Sequence, residues 1–164
     1  MHSIQFTIFP VPDILKNDVE CFRVVAYAGD EGLAIKVAPN ATPGIVFQHS
    51  NGLSPLENII TLSRSNSDIP PLFLYGAGTE PSVMNYRQGA YSTTQVIFKP
   101  HALKTLLGIN ALAVTNSGLV DLQEFSAKDL NERLLEARNA RECVRLLTDF
   151  LLTKRAKSGD TRDT

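Results

Sequence analysis

Apolar and polar positions alternate in short runs along the first hundred residues, a pattern typical of half-buried β-strands. Clusters of turn-forming residues separate these runs. No helical period interrupts them, so alternating β-α-β units are not expected. The pattern predicts about eight strands, at Gln5–Phe9, Val19–Ala28, Leu33–Ala38, Gly44–Gln48, Glu57–Ser63, Leu72–Tyr75, Ser82–Tyr86 and Tyr91–Phe98.

After Pro100 the apolar period changes to that of α-helices. Proline is favoured early in a helix and glycine just after one, and Gly108 stands where a first helix would end. Capping sequences that begin at Ser126 and Asn139 open two longer helices. The predicted helices are a single turn within Pro12–Val19, a short helix His101–Leu107, and two helices running from Ser126 to about Arg138 and from Asn139 to about Lys154.

These elements predict an α+β fold, mainly an antiparallel β-barrel or a double sheet, followed by a C-terminal pair of helices. We expect residues 1–109 to form the β-domain with its short capping helix. Residues 110–154 are expected to form a helical dimerisation or linker subdomain. Residues 155–164 are polar and lack an apolar period, so a disordered tail is expected there.

The last predicted helix carries more apolar residues than one packed face needs. We interpret this surplus as a second buried face, which lies either on the β-domain or against another subunit. Both arrangements agree with the sequence. In the dimer interpretation, Val144, Leu147 and Leu151 are the interface residues.

Charge and composition narrow the classes of partner. The chain has 16 basic and 17 acidic residues and a net charge of −1 at pH 7, which disfavours nucleic-acid binding by this segment. No apolar run approaches the length of a membrane span, and no signal peptide is recognisable, so a cytoplasmic protein without membrane contact is expected. Cys21 and Cys143 stand in apolar runs and are interpreted as core thiols rather than a disulfide.

No catalytic motif is present in the sequence, and we expect neither an enzyme nor a cofactor. His2, His49 and His101 do not have the spacing of metal ligands, so no metal site is expected. His101 is interpreted as a surface or packing residue at a helix start.

Aromatic residues on the predicted strands are the candidates for ligand binding. Tyr75 and Tyr86 are predicted to face the mouth of the barrel and, with Phe47 as a further candidate, to bind a small apolar ligand with a hydroxyl group to orient it. Core packing is the alternative interpretation, and it is the commoner role of aromatic residues on strands.

Two segments, Leu72–Thr79 (LFLYGAGT) and Val96–Ile109 (VIFKPHALKTLLGI), resemble the N-terminal domain of a branch of AraC-type transcription regulators. In that branch a strand ending in Phe-x-Pro leads directly into a small helix ending in Leu-Gly. The pattern Pro-x-x-Leu-x-x-x-Val within Pro12–Val19 and the segment Val120–Leu122 are similar as well. The resemblance extends from about Phe9 to about Leu152.

The resemblance implies a cupin-like barrel followed by helices, which responds to a small-molecule effector and forms a homodimer. In such regulators a C-terminal domain with two helix-turn-helix motifs binds DNA, and no such motif follows Arg155 in these residues. We therefore expect the regulatory N-terminal domain of an AraC-family factor, which would contact DNA only through an absent C-terminal domain.

Two alternatives from other classes stay open. One is a small cupin-like enzyme, which stoichiometric metal in the purified protein would favour. The other is a stand-alone module that binds a small molecule such as a sugar or lipid. A ligand that co-purifies with a monomeric protein would favour the module.

Overall fold

The computed structural model describes residues 2–37, 42–48, 54–76, 80–110, 119–122 and 128–162. These ranges contain ten strands, three α-helices and a 3₁₀ helix, Asp13–Leu15. The strands are β1 His2–Phe9, β2 Val19–Gly29, β3 Leu33–Val37, β4 Gly44–Gln48, β5 Leu56–Thr61, β6 Ser65–Asn66, β7 Leu72–Tyr75, β8 Ser82–Tyr86, β9 Gly89–Phe98 and β10 Leu119–Asp121. The helices are α1 Ala102–Leu107, α2 Lys128–Glu136 and α3 Ala140–Arg162.

The strands form two sheets. One has six strands in the order β1-β2-β9-β4-β7-β10, and the other has four in the order β3-β8-β5-β6. Every strand pair in the described ranges is antiparallel. The predicted α+β class with mostly antiparallel strands is therefore confirmed.

The barrel alternative is wrong for the described part of the chain, where the two sheets do not close on each other. A closed barrel needs a hydrogen-bonded neighbour on both sides of every strand. Here β1, β10, β3 and β6 each have one partner strand, and β6 and β10 are only two and three residues long. Short edge strands of this kind offer few backbone groups for further pairing.

The six-stranded sheet is the middle layer of the molecule. One face packs against the helices, in a core that includes Phe22 and Phe98 from the sheet and Leu103 and Leu147 from the helices. The other face packs against the four-stranded sheet through a second, smaller core around Phe73. Because side chains alternate across a strand, neighbouring residues of β2, β4, β7 and β9 belong to different layers.

The junction between β9 and α1 forms as predicted. β9 ends at Phe98, and α1 begins at Ala102, two residues after Pro100. Gly108 follows the helix with a left-handed φ of 68°, and its backbone N–H donates to carbonyl groups of the last turn. A strand of the middle layer therefore leads directly into the helical layer.

The start of α3 is also confirmed, because Asn139 Oδ1 accepts a hydrogen bond from the backbone N–H of Glu142 at 2.9 Å. Its end is different, since α3 continues to Arg162 instead of stopping near Lys154. The expectation of a disordered tail from residue 155 is therefore wrong as far as Arg162. Residues 154–157 are Lys, Arg and Ala, which are good helix formers, so the helix propagates past Lys154 without an apolar period.

Arg155 gives the extended helix a tertiary contact. Its Nη1 lies 3.8 Å from Oδ2 of Asp18, a carboxylate that is almost fully buried. On the other side of Asp18, Oδ1 lies 3.3 Å from His101 Nε2. His101 is an exposed surface residue at the start of α1, which is one of the two predicted roles. These contacts join α3 to the segments that precede β2 and α1.

The predicted dimer residues are core residues of the single chain. Leu147 and Leu151 are fully buried, and Val144 is 7% exposed. All three belong to the core shared with the six-stranded sheet. The apolar surplus of the last helix is therefore buried on the β-layer, and the prediction that these three residues form a dimer interface is wrong.

Several predictions concern residues outside the described ranges, among them His49, the start of the first long helix at Ser126 and most of the turn at residues 76–79. The strands β6 and β10 were not predicted as strands. The division at residue 109 stays a prediction, although the helices share a core with the sheet. Among the described helices none is both long and apolar enough to cross a membrane.

Candidate functional site

A cavity of about 600 Å³ lies between the two sheets. Its walls are formed by the alternate residues of each strand that point between the sheets, and most of this surface is apolar. Val46 and Ile59 lie in its lining, one from each sheet, and Met84 adds a flexible thioether from β8. The described lining also contains Phe6, Cys21, Arg23, Val25, Tyr27, Leu33, Ile35, Val37, Thr42, Thr61, Tyr75, Gly76, Glu80, Ser82, Tyr86, Tyr91, Thr93, Gln95 and Ile97.

Four tyrosines line the cavity, and three of them form a contiguous aromatic group. Tyr27 and Tyr91 are register partners on β2 and β9, with ring centroids 5.2 Å apart. Tyr91 also stacks on Tyr86 across the two sheets at 5.8 Å. The Tyr27 hydroxyl donates to the carbonyl oxygen of Glu31, whereas the buried Tyr91 hydroxyl has no hydrogen-bond partner among the described residues.

Tyr75 reaches the cavity because its neighbour on β4 is a glycine. Gly44 is the register partner of Tyr75. A Cβ placed on Gly44 would lie 2.6 Å from the Tyr75 hydroxyl oxygen and 2.5 Å from the Val96 carbonyl oxygen. Both distances are shorter than a van der Waals contact, so the absence of a side chain at Gly44 creates the space that the Tyr75 ring occupies.

Arg23 is the cationic group of the lining. It stands opposite Gln95 in the β2–β9 register, and its Nε and Nη2 donate to Gln95 Oε1 at 2.9 and 2.6 Å. The guanidinium carbon lies 5.9 Å from the centre of the Phe6 ring, within the range of a cation–π contact. Gln95 and Phe6 thus hold the guanidinium at the apolar wall.

Burial and charge together set the proton affinity of the tyrosines. Burial raises the pKa of Tyr86 to about 12, the Tyr75 hydroxyl adds to this effect, and the positive charge of Arg23 opposes it. Burial likewise raises the pKa of Tyr75, and Arg23 again opposes the increase. The pKa of Tyr91 is raised as well, mainly by burial. All three phenols are therefore neutral at physiological pH and act as hydrogen-bonding groups.

Gln48 links the two sheets beside the cavity. It lies at the end of β4 and is fully buried. Its Oε1 accepts a hydrogen bond from the backbone N–H of Leu56 at 2.9 Å, and its Nε2 donates to the Pro70 carbonyl oxygen at 3.1 Å. Because both groups of the side-chain amide are bonded, Gln48 fixes the spacing between β4 and β5.

The structure brings together two of the three predicted ligand-binding residues. Tyr75 and Tyr86 both line the cavity, and ligand binding by these residues stays a prediction. Phe47 does not, because it lies on the opposite face of β4 and belongs to the core under the helices. Its neighbour Val46 takes the inward position, as the alternation of side chains requires.

Sequence reasoning missed Arg23, Gln95 and Tyr91. The signal that would have found Arg23 is a single charged residue within an apolar strand, Cys21–Val25. Cys21 and Cys143 are free thiols, as predicted; Cys21 lines the cavity, whereas Cys143 lies on α3 in the core between the helices and the middle sheet. Across the described residues, no group of three or more His, Cys, Asp and Glu side chains is placed to hold a metal ion.

Residues 7–119 match the family described as Domain of unknown function (DUF6597). The chain belongs to this family. The DUF6597 match includes nearly all of the described cavity lining and helix α1, and it ends before α2 and α3. No curated protein and no solved structure matches the chain.

Proposed function

We propose that this DUF6597 chain is the regulatory N-terminal part of a transcription factor of the AraC type, in which a cupin-like double sheet binds a small-molecule effector. The observation that carries the proposal is the cavity of about 600 Å³ between the sheets. Ligand pockets in proteins typically have volumes of roughly 300–1,000 Å³, apolar walls and a few polar groups. The tyrosines and Arg23 supply those polar groups here.

The connection between cavity and helices supports a regulatory role. Strand β9 contributes Tyr91, Gln95 and Ile97 to the lining, and it continues through Pro100 into α1. Helix α1 packs against α3. An effector that shifts β9 by a small amount therefore moves the helical layer, because packed cores transmit displacement rather than absorbing it.

Binding of a neutral probe tests the cavity itself. N-phenylnaphthylamine, an uncharged fluorophore that brightens in apolar surroundings, is expected to bind the folded chain at one site. Val25→Trp places a large ring in the cavity and is expected to abolish binding, because Val25 belongs to the lining. The matched control is Ala28→Trp on the same strand, at an exposed position outside the lining. Failure of the wild type to bind, or equal binding by the two variants, would contradict the proposal.

Homodimerisation is part of the proposal and is tested by light scattering after size-exclusion chromatography. We expect the mass of two chains, with an interface outside Val144, Leu147 and Leu151. A single-chain mass at high protein concentration would contradict the dimer. It would favour a stand-alone small-molecule-binding module, which the same cavity also supports.

DNA binding is proposed for a C-terminal domain beyond these residues. A net charge of −1 gives this chain no general attraction for a polyanion. The reading frame that follows Thr164 is expected to encode two helix-turn-helix units. An unrelated domain at that place would contradict the assignment to a transcription regulator.

A further inference from the structure

The charge of Arg23 has no acidic partner within the described residues. None of the ion pairs there includes Arg23. Glu80 is the acidic residue in the lining, and its carboxylate accepts a hydrogen bond from the Ser63 hydroxyl at 2.5 Å. Arg23 is half-buried, and an anionic ligand in the cavity would give its charge the partner that the described side chains do not supply.

Arg23 also has hydrogen-bond donors left for such a ligand. A guanidinium has five N–H donors, and Gln95 Oε1 accepts from Nε and Nη2. Both Nη1 donors and one Nη2 donor have no partner among the described residues, and one donor of each nitrogen lies on the outer edge of the group. That edge has the paired geometry that binds both oxygens of one carboxylate.

We propose that the cavity between the sheets binds a small amphipathic carboxylate, with its carboxylate paired to Arg23 and its apolar body between the sheets. This inference rests on the proposed function, because it assigns a ligand class to the same cavity. Val46, Ile59 and Met84 supply the apolar contacts. The buried Tyr91 hydroxyl, which lacks a hydrogen-bond partner among the described residues, is a further donor for the ligand.

The number of positive charges in the lining favours a carboxylate ligand over a phosphate ligand. Arg23 is the one basic residue in the described lining, so it neutralises one negative charge. A phosphate monoester carries nearly two negative charges at neutral pH and would leave the second uncompensated. Glu80 in the same lining would make a dianion less favourable still.

Competition against N-phenylnaphthylamine tests the ligand class. Octanoate and octanamide have the same apolar chain and differ in the charge of the head group. We expect octanoate to displace the probe from the wild-type chain at roughly ten- to a hundredfold lower concentration than octanamide, the range expected for charge-assisted hydrogen bonds. Equal displacement by the two compounds would overturn the inference.

Two substitutions at Arg23 and one control locate the effect. Arg23→Gln is expected to remove the preference for octanoate while affinity for the neutral probe stays the same, which also reports that the cavity is intact. Arg23→Lys is expected to restore part of the preference, because it restores the charge. Arg87→Gln, at an exposed position outside the lining, is expected to behave as the wild type.

The outcomes separate the two proposals. If the wild type does not bind the neutral probe, the proposed function fails. If it binds the probe and Arg23→Gln keeps the full octanoate preference, the cavity is a binding site but the carboxylate assignment is wrong. If Arg23→Gln no longer binds the probe, the test is made on Arg23→Lys, which keeps the positive charge. The inference is overturned if Arg23→Lys shows no preference for octanoate over octanamide.

Discussion

Replacing Leu147 by alanine tests whether α3 stabilises the single chain or a dimer. Leu147 is fully buried in the core between the helices and the six-stranded sheet. The substitution removes three carbons, worth about 2.4 kcal/mol at about 0.8 kcal/mol each. A residual cavity adds to this, so we expect a loss of about 3 kcal/mol in the free energy of unfolding. For a chain of this size that corresponds to a decrease of roughly 6–12 °C in Tm.

Urea unfolding, followed by circular dichroism at two protein concentrations, measures the effect. Leu135→Ala is the matched control, because Leu135 is a 39% exposed residue of α2 and its truncation is expected to cost less than about 1 kcal/mol. A core residue loses the same free energy at both concentrations, whereas an interface residue loses stability in a concentration-dependent way. If Leu147→Ala matched Leu135→Ala in stability and only lowered the dimer mass, the assignment of Leu147 to the core would be refuted.

Three further substitutions test the cavity wall and the attachment of α3. Gly44→Ala is expected to lower the free energy of unfolding by about 1–3 kcal/mol and to displace the Tyr75 ring, because the new methyl group overlaps its hydroxyl. Urea unfolding measures the stability, and tyrosine fluorescence reports the displacement of the ring. Arg155→Met is expected to lower the free energy of unfolding by about 1–3 kcal/mol, because it removes a charge partner from the buried carboxylate of Asp18. The rate of amide hydrogen exchange in α3 is expected to rise. Tyr86→Phe is expected to flatten the alkaline loss of stability between pH 10 and 12, which urea unfolding at several pH values measures.

The sign of the alkaline effect follows from proton binding. The unfolded chain loses the Tyr86 proton near pH 10, while the folded chain retains it to about pH 12. The unfolded state then binds fewer protons, so the free energy of unfolding falls as pH rises, by up to about 2–3 kcal/mol. Tyr86→Phe lacks this contribution. An alkaline loss as steep as that of the wild type would contradict the burial of the phenol.

Gly44→Ala and Arg155→Met each have a control of their own. Gly89→Ala meets no atom within 4 Å of its new Cβ, and its φ of 127° makes it a test of backbone strain without displacement of a ring. An unchanged tyrosine spectrum in Gly44→Ala would contradict the close approach of Tyr75. For Arg155, the double variant with Asp18→Asn should recover part of the loss. Additive losses in the double variant would show that the two residues do not interact.

The positions of the strands follow from sequence because each is a short apolar run bounded by turn residues. The bounds predicted for Gly44–Gln48, Leu72–Tyr75 and Ser82–Tyr86 agree with the structure. Which residues of β4 face the cavity cannot be predicted from sequence, because both faces of this strand are buried and no alternation of polar residues distinguishes them. That is why Phe47 was predicted in the ligand site, although Val46 holds the inward position.

The Arg23–Gln95 pair in the cavity depends on contacts between distant parts of the chain. Arg23 and Gln95 are separated by 72 positions and meet only because β2 and β9 are register partners. The role of the surplus apolar residues of α3 likewise depends on contacts between distant parts of the chain. Whether Leu147 and Leu151 lie on a sheet or a second subunit depends on where the helix docks, and the periodicity of one helix carries no information on its partner.

A crystal structure of the chain with octanoate tests the central claim most directly, because it locates the ligand and its head group together. The account predicts the carbon chain between the two sheets, with the carboxylate oxygens within hydrogen-bond distance of the Arg23 guanidinium. Octanoate bound elsewhere on the protein, or bound between the sheets with its carboxylate directed away from Arg23, would contradict it.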